Sequence, residues 1–453
     1  MQDPLIDWLF QLQGPSLKWD IETVRAFAAR LGHPERGFRS VHLAGTNGKG
    51  SVAAMLHGIA RASGLSVGLN TSPHLVDPEE RIRIDDHDIQ PTQFRALISE
   101  LRHDAEQAGS ELPRHPSFFE MITLAAMRAF ERAKVDLAVV ETGLGGRLDA
   151  TNILTPTLSV ITTIGIDHLT ALGGSLDSIA SEKAGIVKPG VPVLAGWMHE
   201  SMLSIIQDRA QRWGAPFYPA MRELSISGNL DGSFDLITPV CTYRRLRAPL
   251  AGPHQRLNTA LAVRAAELLR LRGLSLPEVA IQPGLDLTRW PGRMEQIAGQ
   301  PHWLLDGAHN ADGADALGRA LRERYRENPC RRVLIFGLSE GRDAVRLCEP
   351  LLPSVERVIV TQPVTVRAQS ASLVASALRG STRLPVDLAP TVSDAMSMAR
   401  RCVDADAEIV VCGSLYLVGD VRRLLLGVEG TGQPLHERVP PIESAVSRQP
   451  HAP

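Results

Sequence analysis

The sequence predicts an α/β protein: a parallel sheet covered by helices on both faces, a small antiparallel patch, then a second and smaller α/β unit. Two observations predict it. Short apolar runs alternate with segments of helical periodicity along most of the 453 residues, as expected where helical crossovers join parallel strands. The strand-like runs also end repeatedly in glycine-rich polar loops, which is where such folds gather ligands.

The elements follow in order. Residues 38–44 (FRSVHLA) read as a buried strand, and a glycine-rich loop follows. A helix is expected from about Ser51 to Ser63, with Val52, Leu56, Ile59 and Ala60 as its apolar stripe and Gly64 ending it. SVGLNTS reads as a second strand, and IRIDDHDI alternates like an exposed strand or hairpin. Two helical segments surround Pro116. VDLAVV runs into ETGLGG, TLSVITTIG runs into DHLT, and GVPVLAG is a further strand. Residues 215–250 change character, and short alternating segments around NLDGS give the antiparallel patch. HQRLNTALAVRAAELLRLRG is a strong helix ended by Gly273. TRWPGRMEQ carries the Pro and Gly of a domain boundary. HWLLDGA, RRVLIFGL, RVIVTQP and AEIVVCGS are then the strand-to-loop junctions of the second unit. The expected division is 1–290, 291–426, and a Pro-rich polar tail, 427–453, expected to be disordered.

Composition narrows the function classes. With 44% hydrophobic and 22% charged residues, this is an ordinary globular chain. A formal net charge of −2 offers no basic field for nucleic acid. The five cysteines are scattered without CxxC spacing, which argues against a zinc or redox pair and fits a reducing compartment. The N-terminus lacks the pattern of a signal peptide. No apolar run reaches the roughly 18 residues of a membrane span. A cytoplasmic protein with neither nucleic-acid nor membrane partners is expected.

The loop AGTNGKGS lies between a strand and a helix N-terminus, where backbone N–H groups and the helix dipole favour an anion. Gly45, Gly48 and Gly50 let backbone approach phosphate oxygens. Lys49 would neutralise them, and the Ser51 hydroxyl would ligate Mg²⁺. The alternative is a plain glycine-rich turn, but Lys and Ser both fall correctly relative to the helix start. Glu141 stands beyond the strand VDLAVV, suited to a nucleotide's metal or simply exposed at a strand end. Asp167 and His168 lie beyond the next strand, as a metal–nucleotide contact or a hydrogen-bonded turn.

Lys183 falls on a stripe with Leu176, Ile179 and Ala180 at i, i+3, i+4, i+7 spacing, so it faces an apolar side. An ammonium buried there needs a partner. The other reading is a snorkelling lysine that caps the helix before Gly185. In the second unit Asp306, His309 and Asn310 lie in LLDGAHN, and IFGLSEGRD and VCGSLYLVGD bring polar groups to similar strand ends. Their common position suggests one cleft between the units.

The segments AGTNGKGS, TSPHLVDPEERIRI, SFFEMITLAAM, ETGLGGRLDATN, GIDHLTALGGSLDSIASEKAGIVKPG, GPHQRLNTALA, PGRME and LDGAHN together resemble the bifunctional dihydrofolate synthase/folylpolyglutamate synthase family of the Mur ligase superfamily. The resemblance spans about residues 15–425. It implies a P-loop ATPase domain followed by a smaller Rossmann-like domain. By motif, Gly48, Lys49, Gly50 and Ser51 would bind ATP phosphates, with Asn258, Arg293 and Asp306 as further ATP contacts. Ser51, Ser72, Glu141 and His168 would hold magnesium, in two sites. Lys183 matches a lysine that the family carries as a carbamate, and Lys49, His168 and Lys183 would be the catalytic set. The pterin end of the substrate would lie near Ser117, Phe118, Phe119 and Glu120 and near Leu148, Asp149 and Ala150, with Lys18, Trp19 and Asp20 closing over it.

The implied reaction transfers the γ-phosphoryl of ATP to the carboxylate of dihydropteroate, or to the γ-carboxylate of a reduced folate. The amine of L-glutamate then displaces phosphate. A monomer is expected. A cell-wall Mur ligase would carry a further N-terminal domain on the order of 100 residues, whereas 44 residues precede Gly45. A P-loop switch would need no acceptor amine, and a non-catalytic folate binder would need neither Lys49 nor Glu141. A single-activity folylpolyglutamate synthase or dihydrofolate synthase would share every ATP motif. SFFE and LDA resemble the bifunctional type.

Overall fold

A computed structural model of the chain describes residues 3–13, 20–166, 173–327 and 329–427. Eight strands form the first sheet: β1 (Arg39–Ala44), β2 (Val67–Asn70), β3 (Ile82–Ile84), β4 (His87–Asp88), β5 (Leu137–Glu141), β6 (Leu158–Ile161), β7 (Val193–Ala195) and β8 (Phe217–Pro219). Their order is β4-β3-β2-β5-β1-β6-β7-β8, parallel except where β2 meets β3 and β3 meets β4. β1 is central, with Leu43 beside Glu141 of β5 and Ala44 beside Ile161 of β6. Three chain segments therefore leave the sheet side by side at its carboxyl edge.

The expected antiparallel patch is present, but smaller than residues 215–250. β9 (Ser225–Gly228), β10 (Phe234–Ile237) and β11 (Thr242–Leu246) form it, while β8 pairs in parallel with β7 and extends the main sheet. The last sheet contains β12 (Glu295–Ile297), β13 (His302–Leu305), β14 (Arg332–Phe336), β15 (Arg357–Val360), β16 (Val386–Leu388) and β17 (Glu408–Cys412). Its order is β12-β13-β17-β14-β15-β16, parallel except at β12–β13. β12 and β16 were not anticipated. Each has three residues and so shows no period.

The helix Lys49–Ala62 is buried continuously from Ser51 to Ala60, which only a helix covered on all sides can be. It lies between the sheet and the helices His254–Leu271 and Ile281–Leu287, whose apolar residues share its core. The opposite face of the sheet is covered by the helices Glu22–Arg30, Pro91–Ala108 and Phe118–Ala133. Two further apolar clusters pack the two faces of the last sheet. All five cysteines are free thiols. Among the described residues no helix is long and apolar enough to cross a membrane. Residues 167–172, with His168, and residues 14–19, with Lys18 and Trp19, lie outside the described residues, as does 428–453.

Candidate active site

β1 delivers the chain into Gly45–Gly48, and the helix begins at Lys49. Gly48 holds φ +85°, and a Cβ there would stand 2.7 Å from Oδ1 of Asn258. Only glycine satisfies both constraints. Gly50 is small for a different reason: a Cβ would meet the Trp290 ring at 2.6 Å. The loop is tied to the end of β6. The Thr162 hydroxyl donates to the Asn47 carbonyl at 2.7 Å, and the Asn47 N–H donates to Thr163 Oγ1 at 3.0 Å. Held this way, the N–H groups of the first helical turn form a fixed anion cradle.

Lys49 Nζ lies 3.7 Å from Glu141 Oε1 and donates to the Gly45 carbonyl at 3.1 Å. Glu141 is 4% exposed. Burial pushes its carboxyl above the ordinary glutamate value, opposed by the Lys49 charge, the Ser72 N–H and the Arg293 charge. The Ser72 N–H is 3.4 Å from Glu141 Oε2, while the buried Ser72 Oγ has no hydrogen-bond partner among the described residues. Ser51 is buried in the first turn of the helix, 3.5 Å from Gln255 Nε2. A carboxylate and two hydroxyls, one of them orphaned, form an oxygen donor set that fits a hard divalent cation. Among the described residues no three His, Cys, Asp or Glu side chains cluster as a metal site by themselves.

Lys183 does not cap its own helix. Its Nζ donates to the Gly45 carbonyl at 2.7 Å, and the residue is 4% exposed. The stripe holds for Ile179, Ala180 and Lys183, whereas Leu176 at the first turn is 38% exposed. Two ammonium groups, of Lys49 and Lys183, thus converge on one carbonyl oxygen.

The last sheet closes the other side. Asp306 Oδ2 accepts the Met294 N–H and Oδ1 accepts the Ala308 N–H, both at 2.9 Å. This carboxylate therefore pins the PGR turn to the loop after β13, and the Arg293 guanidinium lies against Gly307. The Asn47 and Asn310 side-chain amides pair reciprocally, at 3.0 and 3.3 Å. His309 instead turns back onto the Gly307 carbonyl at 2.7 Å. Asn258 donates to Gln255 Oε1 at 2.9 Å, and neighbouring His254 is held below the ordinary imidazole value by burial, with Asp306 opposing.

At the far end, Ser117 and Glu120 form a capping box at the start of the helix Phe118–Ala133. Arg114 grips Glu120 with two bonds, at 2.7 and 2.9 Å, and reaches Asp20 at 3.1 Å. Phe118 faces the core, its ring 5.2 Å from that of Phe10. Phe119 lies over Gly143, where a Cβ would be 2.5 Å from its ring. Asp149 is buried and accepts the Leu144 N–H at 2.9 Å and the Thr151 N–H at 3.0 Å. Leu148 and Ala150 flank it.

The loop from Gly45 to Ser51, Ser72, Glu141, Lys183, Asn258, Arg293 and Asp306, together with the residues around Phe119 and Asp149, line one cleft of ≈ 670 Å³. Sequence reasoning missed Arg114 and Arg367, which also line it, and Trp290 beside Gly50, and it reached Arg342 only as part of the IFGLSEGRD strand end. SFFE did carry a readable signal, the S-x-x-E spacing of a capping box. Arg367 had none, since only a backbone bridge between Ser339 and Ala368 brings its loop to that of Arg342.

The chain matches two protein families: the Mur ligase middle domain over residues 43–266, and the dihydrofolate synthetase C-terminal domain over residues 293–424. The dihydrofolate synthase/folylpolyglutamate synthase of Bacillus subtilis is 32% identical over 409 residues, covering 89% of this chain and 94% of that one. The structure of E. coli FolC in complex with DHPP and ADP is similar at TM-score 0.83 and 30% identity, covering 94% of this chain and 98% of that one. A bifunctional folylpolyglutamate synthase/dihydrofolate synthase from Yersinia pestis, complexed with AMPPNP and Mn ion, gives TM-score 0.82 at 29% identity, covering 94% and 98%. With its phosphate loop, its second sheet and this match along most of its length, the chain belongs to the dihydrofolate synthase/folylpolyglutamate synthase family of the Mur ligase superfamily.

Proposed function

We propose that this chain ligates L-glutamate to dihydropteroate, and to the γ-carboxylate of reduced folates, using ATP and an acyl-phosphate intermediate. The observation that carries the reading is the continuity of the cleft. A phosphate cradle, a slot between Phe119 and Asp149, and an arginine-bearing face from the last sheet open onto one space. Three substrates that must react in sequence need that arrangement. The relatives' names, and the nucleotides in the related structures, support it.

In this reading Gly48, Lys49, Gly50 and Ser51 hold the β- and γ-phosphates. Asn258, Arg293 and Asp306 complete the ATP site, and Asp306 acts in part by fixing the Arg293 turn. Ser51, Ser72 and Glu141, with His168, would hold Mg²⁺ in two sites. The metal supplies neutralising charge between the γ-phosphate and the substrate carboxylate. Lys183 is carbamylated: its neutral amine adds to CO₂, forming an N–C bond and releasing a proton. That converts one of two crowded cations into an anion with two metal-binding oxygens, and leaves an N–H for Gly45. The pterin lies against Phe119, Leu148, Asp149 and Ala150, with Asp20, Arg114, Ser117, Phe118 and Glu120 shaping the wall. Lys18 and Trp19 are assigned to this end from sequence alone. Arg342 and Arg367 suit the carboxylates of incoming glutamate. The P-loop and Rossmann-like units, divided near residue 290, act as a monomer that excludes water from the acyl phosphate.

The test is product analysis. Purified protein with ATP and L-glutamate should convert dihydropteroate to dihydrofolate, and tetrahydrofolate to a product one glutamyl residue heavier. Conversion of only one of them would reduce the assignment to a single activity. Conversion of neither would overturn it.

A further inference from the structure

The strand that delivers the phosphate loop carries a buried histidine that none of the steps above uses. His42 on β1 is fully buried, and its Nε2 lies 2.8 Å from Thr151 Oγ1. Thr151 is fully buried as well, and its hydroxyl donates to Asp149 Oδ1 in a short bond. A hydroxyl has one proton to give. With that proton committed to Asp149, Thr151 must accept from His42, which fixes the imidazole as the Nε2–H tautomer. Burial holds the imidazole neutral, its titration pushed down to about 3, with the Lys188 charge acting in the same direction.

Asp149 is the end of this chain. One oxygen takes the Thr151 hydroxyl and N–H, while the other holds the Leu144 N–H and so closes the Gly143–Leu144 turn on which Phe119 rests. Lys188 secures the same corner from outside, donating to the Asn152 carbonyl at 2.7 Å. We propose that His42 and Thr151 are positioning residues for the pterin end of the cleft: they orient the Asp149 carboxylate and, through the Leu144 turn, the Phe119 wall. The inference rests on the pterin reading of that slot. It also places on β1 both the phosphate loop and a prop for the second substrate. A hydrogen bond in a buried polar chain earns its effect by fixing geometry as well as by its energy.

The test uses four substitutions in the full-length protein. Thr151→Val keeps the shape and removes the hydroxyl, and His42→Phe fills the site without a donor. Each should raise the KM for dihydropteroate on the order of tenfold, the scale of one hydrogen bond lost from a buried polar chain. The KM for ATP should not change. Thr151→Ser and His42→Gln, which keep a hydroxyl and an N–H donor, should stay near wild type and show that the site folds. The double variant His42→Phe/Thr151→Val should be no worse than the worse single variant, because both break one chain. Multiplying effects, an equal rise in both KM values, or unchanged dihydropteroate KM in Thr151→Val would each overturn the inference. Asp149→Asn separates it from the pterin reading. If that variant loses dihydropteroate affinity and Thr151→Val does not, only the positioning role falls. If Asp149→Asn leaves the KM unchanged, the pterin assignment of the slot falls with it.

Discussion

Lys49 and Lys183 share an acceptor: their ammonium nitrogens lie 3.1 and 2.7 Å from the same Gly45 carbonyl oxygen, although 134 positions separate them in sequence. Two like charges this close in a buried site repel. Carbamylation of Lys183, as proposed above, would relieve the repulsion. Lys183→Ala should lose ligase activity yet still bind nucleotide, because the phosphate loop is intact. Acetate should partly restore turnover, and methylamine should not. A high-resolution map from crystals grown with bicarbonate should show the added carboxyl group. An unmodified lysine in that map, with full activity in Lys183→Ala, would contradict the assignment.

The reciprocal amide pair of Asn47 and Asn310 connects the phosphate loop to the last sheet. Asn310 Oδ1 also accepts the Gly313 N–H at 2.8 Å and so caps the following helix. Asn310→Asp keeps that cap but points a second acceptor at Asn47 Oδ1. The variant should melt close to wild type while its KM for ATP rises by about tenfold, as expected for one or two lost bonds. A cap contributes roughly 1 kcal/mol, so Asn310→Ala should in addition melt lower. Normal ATP kinetics in Asn310→Asp would remove the pair from the working site.

How much of this was legible in sequence depends on range. The strand-loop-helix around Lys49 is local, so chain order alone placed Lys49 and Ser51 at a helix N-terminus. Glu141 was legible because a parallel strand end has a known destination. The acceptor for Lys183 was not, since Gly45 is reached only through the folded sheet. β8 was assigned to the antiparallel patch because its own three residues are too few to show a period. Leu176 failed for another reason: a stripe spaced correctly can still begin in solvent at the first turn of its helix.

Stability should carry a pH signature at Asp420. Burial raises its carboxyl from 3.8 to about 6, opposed by the Val364 N–H at 2.8 Å and by Arg423. Between those values the folded chain holds a proton that the unfolded chain has lost. Stability from this group therefore falls as pH rises through the window and levels off above it. Asp420→Asn removes the slope, so its melting temperature should gain on wild type from pH 4 to pH 6. The loop concerned carries Arg367, so the same titration series can be followed in the KM for glutamate. A constant difference between the two proteins across that range would contradict the assignment.

If both acceptor substrates use the slot between Phe119 and Asp149, they must exclude each other. Dihydropteroate should inhibit glutamylation of tetrahydrofolate competitively. Purely non-competitive inhibition would require a second pocket and would return the Phe119 wall to a structural role.

The central claim is that hydrolysable nucleotide, pterin acid and amine meet in one cleft, and the coupling of ADP release tests it most directly. ADP release should be negligible with ATP alone. It should become sustained only when a pteroate or folate and L-glutamate are both present, with one ADP per glutamate ligated. Lys49→Ala should abolish it while shifting the melting temperature no more than an ordinary surface substitution does. Steady ADP release without glutamate or pterin, or full turnover in Lys49→Ala, would contradict the account and point to an ATPase that drives something other than ligation.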